Sequence, residues 1–172
     1  MGWSLDLHTT GSTSGCNRTE VGKALYELKY QNDQSKACFL VQVAVAFLCN
    51  MDLVRNLEVV IPVPFSKKRA FQPVHEIAKQ IGLQINAKAD SNYVYKTSCT
   101  QMKQDILPEE KKKILSASIR VEDSRHQGRN VLLFDDLYCS GSTLEVVSQK
   151  LREVGKVKSI YVLTLTKTRT KR

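Results

Sequence analysis

Val131-Leu132-Leu133-Phe134-Asp135-Asp136-Leu137-Tyr138-Cys139-Ser140-Gly141-Ser142-Thr143 is the stretch on which the reading of this chain turns. Four consecutive apolar residues, with no alternation, predict a strand covered on both faces, as in a parallel sheet. Asp135 and Asp136 fall where that strand emerges, at the edge where open α/β sheets gather their ligands. Ser140, Gly141, Ser142 and Thr143 follow with hydroxyls, a glycine that lets backbone approach a ligand closely, and the free N–H groups of a helix N-terminus. Together these groups suit a sugar phosphate held from both ends. Residues 139 to 143 would take the phosphate, and the two acids would accept hydrogen bonds from ribose hydroxyls beside a hard cation. Each half also has a structural reading. Ser142 and Glu145 have the spacing of a capping box, and paired aspartates after a strand serve elsewhere as solvated loop charges or metal ligands. The order of the two halves carries the functional reading.

Outward from this stretch, the pattern alternates helix and strand. Val21, Leu25 and Leu28 predict an amphipathic helix from Thr19 to about Tyr30, and a second covers roughly Ser35 to Cys49. Valine-rich Leu57 to Val63 predicts the first core strand, stopped by Pro62 and Pro64. Val74, Ile77, Ala78 and Ile81 recur at helical spacing, with Gly82 as the C-terminal stop. A strand is placed near Gln84 to Ala87, a long polar loop over residues 90 to 110, and a helix over Pro108 to Leu115. Leu144, Val147, Leu151 and Val154 form one helix face before Gly155, and Ser159 to Thr166 is a final strand. Helices between strands imply a mostly parallel sheet flanked by helices, within one α/β domain spanning residues 1–172. Residues 1–18, with apolar Trp3, Leu5 and Leu7, are read as a small hood or subunit contact, and 167–172 as a basic tail.

The chain of 172 residues is 42% hydrophobic, enough for a substantial core, and no low-complexity linker divides it. Its most apolar region, Ala37 to Met51, is too short for a membrane span. The five cysteines, Cys16, Cys38, Cys49, Cys99 and Cys139, include no C-x-x-C pair. They fit reduced thiols in a cytoplasmic protein, without structural zinc. No secretory leader pattern opens the chain. His8, His75 and His126 show no metal-ligand spacing, and neither a nucleophilic triad nor a dinucleotide fingerprint is visible. A net charge of +9 favours polyanionic partners. Lys111-Lys112-Lys113 after Glu109 and Glu110 reads as a solvated helix face with intrahelical ion pairs.

The run from Val131 to Thr143 resembles the 5-phosphoribosyl 1-pyrophosphate (PRPP) motif of type I phosphoribosyltransferases: an apolar strand, two acids, three spacers and a Thr-Gly-x-Thr type loop. Ser140-Gly141-Ser142-Thr143 stands in the loop, with Cys139 where that family often has threonine. Val59 to Arg69, then Phe71-Gln72-Pro73, resembles the pyrophosphate-loop region of ComF-type competence proteins and of related domains found beside DNA helicases. Leu28-Lys29-Tyr30, Thr100-Gln101 and Leu163 to Arg169 are similar to that subfamily too, so the resemblance covers roughly residues 20 to 169. The N-terminal zinc element common in ComF-type proteins has no counterpart here.

The resemblance implies a type I phosphoribosyltransferase fold and a magnesium-dependent transferase. Pyrophosphate would leave ribose C1 as an acceptor nitrogen attacks. Asp135 and Asp136 would act as the catalytic acids, with an indirect role in holding Mg2+. Cys139 to Thr143 would hold the 5-phosphate, and Ser66, Lys67, Lys68 and Arg69 the pyrophosphate. Tyr138 is a further candidate for ligand contact. A lid over the site would use Lys96, Thr100, Gln101 and Lys103 and would exclude water on closing. A homodimer is the family-based expectation. The alternative is a non-catalytic sensor of PRPP or nucleotide whose basic surface serves single-stranded DNA or a DNA-processing partner.

Overall fold

Val131, Leu132, Leu133 and Phe134 are all completely buried, and the architecture follows from what covers them. The structure is a computed structural model and describes residues 1–10, 17–97 and 107–169. The run lies in β8 (Asn130–Tyr138), in a five-stranded sheet with β1 (Gly2–Leu7), β4 (Val59–Pro62), β5 (Lys88–Ala89) and β9 (Ser159–Lys167). The strand order is β1-β9-β8-β4-β5, and every pairing is parallel. Side chains alternate across the sheet, so Leu132 and Phe134 enter one core and Val131 and Leu133 the other. The first core lies under α1 (Glu20–Tyr30), α2 (Lys36–Cys49) and α3 (Pro73–Gln84). The second lies under α4 (Pro108–Ser118) and α5 (Ser142–Glu153), beside a small antiparallel ribbon of β6 (Val94–Lys96) and β7 (Ile119–Val121). Two covered faces explain why the run shows no hydrophobic alternation.

Because the strands are parallel, their C-terminal ends share one edge. That edge holds Leu7 of β1, Pro62 of β4, Asp135 to Tyr138 of β8 and Thr166 of β9. The first helix stands where its pattern predicts, and Thr19 caps it by accepting from the Gly22 N–H at 3.0 Å. The same hydroxyl donates to the Leu7 carbonyl at 2.6 Å, tying α1 to the end of β1.

Some boundaries fall differently from the sequence reading, and the N-terminal segment holds a strand which that reading did not place. The apolar N-terminal segment supplies the edge strand of the main sheet, with Trp3 paired to Leu163 and Asp6 to Thr166. A two-stranded ribbon follows, β2 (Thr9–Thr10) with β3 (Asn17–Arg18). The first core strand is shorter than the expected Leu57 to Val63: β4 begins at Val59 and stops at Pro62, where a missing N–H costs no ladder bond. Gly82 does not end α3, which runs on to Gln84. Its lack of a side chain serves packing instead, since a Cβ there would lie 2.8 Å from the Ala87 carbonyl oxygen as the chain turns back into β5. The strand placed at residues 84 to 87 falls at Lys88–Ala89. The polar segment 90 to 110 contains β6, whose partner β7 lies beyond it in the sequence.

Candidate functional site

The backbone of β8 delivers both acids to the shared edge on opposite faces of the strand. Asp136 is buried at 5% exposure, and its carboxylate forms an ion pair with the Lys29 ammonium at the end of α1. The oxygen in that ion pair, Oδ2, is fully buried. Its main-chain oxygen accepts from the buried Thr166 hydroxyl at 3.1 Å, which fixes the strand end against β9. Asp135 accepts the N–H of Asp136 at 2.8 Å through Oδ1. Burial, then the neighbouring charge of Asp136, raises the Asp135 carboxyl well above the usual carboxylate range, while Lys29 and Lys96 act in the opposite sense.

Both acids open into a cleft of about 260 Å³. Its cationic wall is Lys29, Lys67, Arg69 and Lys96, and Ser66 and Thr143 add hydroxyls. Of the candidate pyrophosphate residues, Ser66, Lys67 and Arg69 line this cleft. Lys68 is exposed and does not. Arg69 also works as a clamp, donating to the Lys29 carbonyl at 3.3 Å and lying 5.5 Å from the Tyr30 ring centre. Gln72 holds the loop from below through the carbonyls of Lys67 and Arg69, at 3.3 and 3.4 Å. Lys96 reaches the cleft from β6. The other lid candidates, Thr100, Gln101 and Lys103, lie outside the described residues.

Beside the cleft, sharing Asp135, Leu137 and Thr143 with it, is a hollow of about 70 Å³ walled by residues 137 to 144 and Lys111. Gly141 is the N-cap of α5 in the left-handed region, φ 74°, with the Tyr138 ring packed on it: a Cβ there would lie 2.9 Å from the Tyr138 hydroxyl. The positive φ favours glycine here, and a side chain would also displace the Tyr138 ring. The capping box is absent. Ser142 is the first residue of the helix rather than its cap, so its Oγ is left to pair with Ser140 Oγ at 3.0 Å, and Glu145 turns instead to Lys112 at 2.9 Å. The first-turn N–H groups of α5 have no side-chain cap and face the hollow's loop. The expected intrahelical pairing of the lysine run is corrected too: Lys112 bonds across to α5, and Lys111 Nζ lies 3.4 Å from Ser140 Oγ.

Two site residues carried no assigned role in the sequence. Lys29 was visible only as part of a resembling tripeptide, and its partnership with Asp136 depends on the fold bringing α1 to the sheet edge. Lys111 sits four residues before the buried Leu115, and that i, i+4 spacing was the signal for an inward-facing side chain.

A five-stranded parallel sheet with helices on both faces, in this strand order, is the type I phosphoribosyltransferase type of fold. Solved structures show the likeness directly. The adenine phosphoribosyltransferase of Saccharomyces cerevisiae, solved with D-2,5-dideoxy-2,5-imino-altritol 1,6-bisphosphate and adenine, aligns with a TM-score of 0.50 and 10% identity, over 95% of this chain and 92% of that one. The adenine phosphoribosyltransferase of Thermoanaerobacter pseudethanolicus gives 0.50 and 14% over 80% and 83%, and that of Leishmania tarentolae 0.51 and 7% over 92% and 79%. At such identities the likeness is one of fold. No protein-family model matches the chain, and no curated protein does.

Proposed function

We propose that the protein binds PRPP and transfers its phosphoribosyl group to a nitrogen acceptor, releasing pyrophosphate. The observation that carries this reading is that Asp135 lines both the cation-walled cleft, which it shares with Asp136, and the neighbouring hollow formed by the hydroxyl loop and the start of α5. PRPP has the same polarity, with a ribose between a pyrophosphate and a 5-phosphate. In the transfer the C1–oxygen bond to pyrophosphate breaks, pyrophosphate leaves with the electron pair, and the acceptor nitrogen forms the new bond to C1 and loses its proton. The ring carries positive charge at the transition state. The acids stabilise that charge and orient the ribose hydroxyls, and Lys29, Lys67 and Arg69 hold the departing pyrophosphate. The residues fit magnesium as an indirect partner, because two carboxylates, Asp135 and Asp136, line the cleft beside the cations that would face the substrate phosphates. Magnesium keeps several waters and is bound by one or two carboxylates with substrate phosphates, and it supplies charge neutralisation on the leaving group.

Calorimetric titration with PRPP, with and without magnesium, tests the reading. Asp136→Asn should lower affinity at least ten-fold, as expected for loss of a charged hydrogen-bond acceptor, while the far-ultraviolet spectrum stays unchanged. Full affinity in the variant would remove the acids from the site. Pyrophosphate release with a panel of bases and amines then separates a transferase from the alternative, a sensor that binds PRPP without turnover.

A further inference from the structure

The smaller hollow presents an electrostatic problem. Asp135 forms part of its wall, and a phosphate dianion entering beside a carboxylate is opposed unless positive charge is close. A helix N-terminus contributes the equivalent of about half an elementary charge, too little to balance a phosphate dianion. At one corner of the loop Cys139 presents a thiol, a weak donor, to the hollow.

Lys111 is placed to resolve this. It is the one cation among the described residues that lines the hollow. Leu115, one turn further along α4, is completely buried and turns the Lys111 face inward. Lys112 anchors the same turn to Glu145 of α5 at 2.9 Å, so α4 is held against the loop by a neighbouring ion pair. From there Lys111 Nζ reaches Ser140 Oγ at 3.4 Å, and Ser140 Oγ reaches Ser142 Oγ at 3.0 Å. Ammonium and two hydroxyls form a continuous arc around the mouth of the hollow.

We infer that Lys111 is a phosphate ligand of this protein, supplied from α4 to the loop of residues 139 to 143, where the helix start and the loop hydroxyls alone leave a phosphate's charge unbalanced. The inference rests on the phosphoribosyl reading above and adds to it a residue from a separate element. Phosphate occupancy would thereby fix the start of α4.

The test is calorimetric titration of wild type, Lys111→Gln, Lys111→Arg and Lys113→Gln with ribose 5-phosphate, inorganic pyrophosphate and PRPP. Lys113 is on the same helix and exposed, so its variant carries the same charge change away from the hollow. Lys111→Gln should weaken ribose 5-phosphate and PRPP about ten-fold, the size of one charge-assisted hydrogen bond, and leave pyrophosphate unchanged. Lys111→Arg should keep most of the affinity, and Lys113→Gln all of it. Wild-type affinity for ribose 5-phosphate in Lys111→Gln overturns the inference, as does an equal loss in Lys113→Gln, because long-range charge would then account for the effect. If wild type binds neither ribose 5-phosphate nor PRPP, the phosphoribosyl reading fails first and the inference falls with it.

Discussion

Asp135 concentrates the conflict between stability and ligand binding in one carboxyl group. Burial, reinforced by Asp136, carries its pKa up to about 7 despite the Asp136 N–H and the cations Lys29 and Lys96. In the unfolded chain the group titrates near 3.9. Between the two values the folded protein holds more protons than the unfolded one, so stability contributed by this group is full below about pH 4 and is lost as pH rises towards 7. The loss amounts to at most a few kcal/mol, reduced by water at the mouth of the cleft. Melting of the ligand-free protein in chelator, followed from pH 4.5 to 8, should show this decline, and the difference between wild type and Asp135→Asn should isolate it. A difference that is flat with pH would mean the carboxyl is not perturbed. A ligand needing the carboxylate ionised should correspondingly bind more tightly as pH rises through the same window.

At the scale of elements, the site depends on how closely α1 approaches β1, because α1 carries Lys29 to Asp136. Gly22 in the first turn of α1 packs on the His8 carbonyl, and a Cβ there would lie 2.2 Å from that oxygen. Alanine is the better helix former by about 1 kcal/mol, yet a clash with backbone cannot be relieved by a rotamer change. Gly22→Ala should therefore destabilise by about 1–3 kcal/mol, seen as a fall of several degrees in melting temperature, with PRPP affinity falling too as Lys29 shifts. An equal or higher melting temperature would show that the two elements are not in contact. This contact also marks what the sequence could convey. The Val131 to Phe134 run, the helix faces built on Leu25 and Leu28 or Leu144 and Val147, and the loop after the acids were legible because each signal is local: an apolar run, a 3.6-residue period, a glycine among hydroxyls. The edge strand β1 was not. Its Trp3, Leu5 and Leu7 alternate as a strand should, but strand character is completed by pairing with β9, about 160 positions away. The pairing of β6 with β7 escaped notice for the same reason, the two strands being separated by α4. In the candidate site, Asp135, Asp136 and the hydroxyl loop could be read directly, whereas Lys29 and Lys111 come from helices that meet the loop only in the folded chain.

For the molecule as a whole, the cleft joins segments from far-separated parts of the chain: the end of α1, the loop after β4, β6 and the edge of β8. A ligand that bridges them binds only the folded state, so its binding energy adds to global stability by mass action. At 100 times its dissociation constant PRPP would contribute about 2.7 kcal/mol. In a chain of 172 residues each kcal/mol moves the melting temperature by about 2–4 °C, so the expected rise is about 5–10 °C. A chain with net charge +9 could gain stability from any polyanion, and the Asp136→Asn variant separates the two origins. That substitution removes a negative charge and leaves the protein more basic, so stabilisation by non-specific charge should persist or grow in the variant and fade with added salt. Stabilisation through the acids at the β8 edge should instead disappear in Asp136→Asn while wild type retains most of its shift at moderate ionic strength. Equal shifts in the two proteins, lost together as salt is raised, would place PRPP on the general basic surface and not in the cleft.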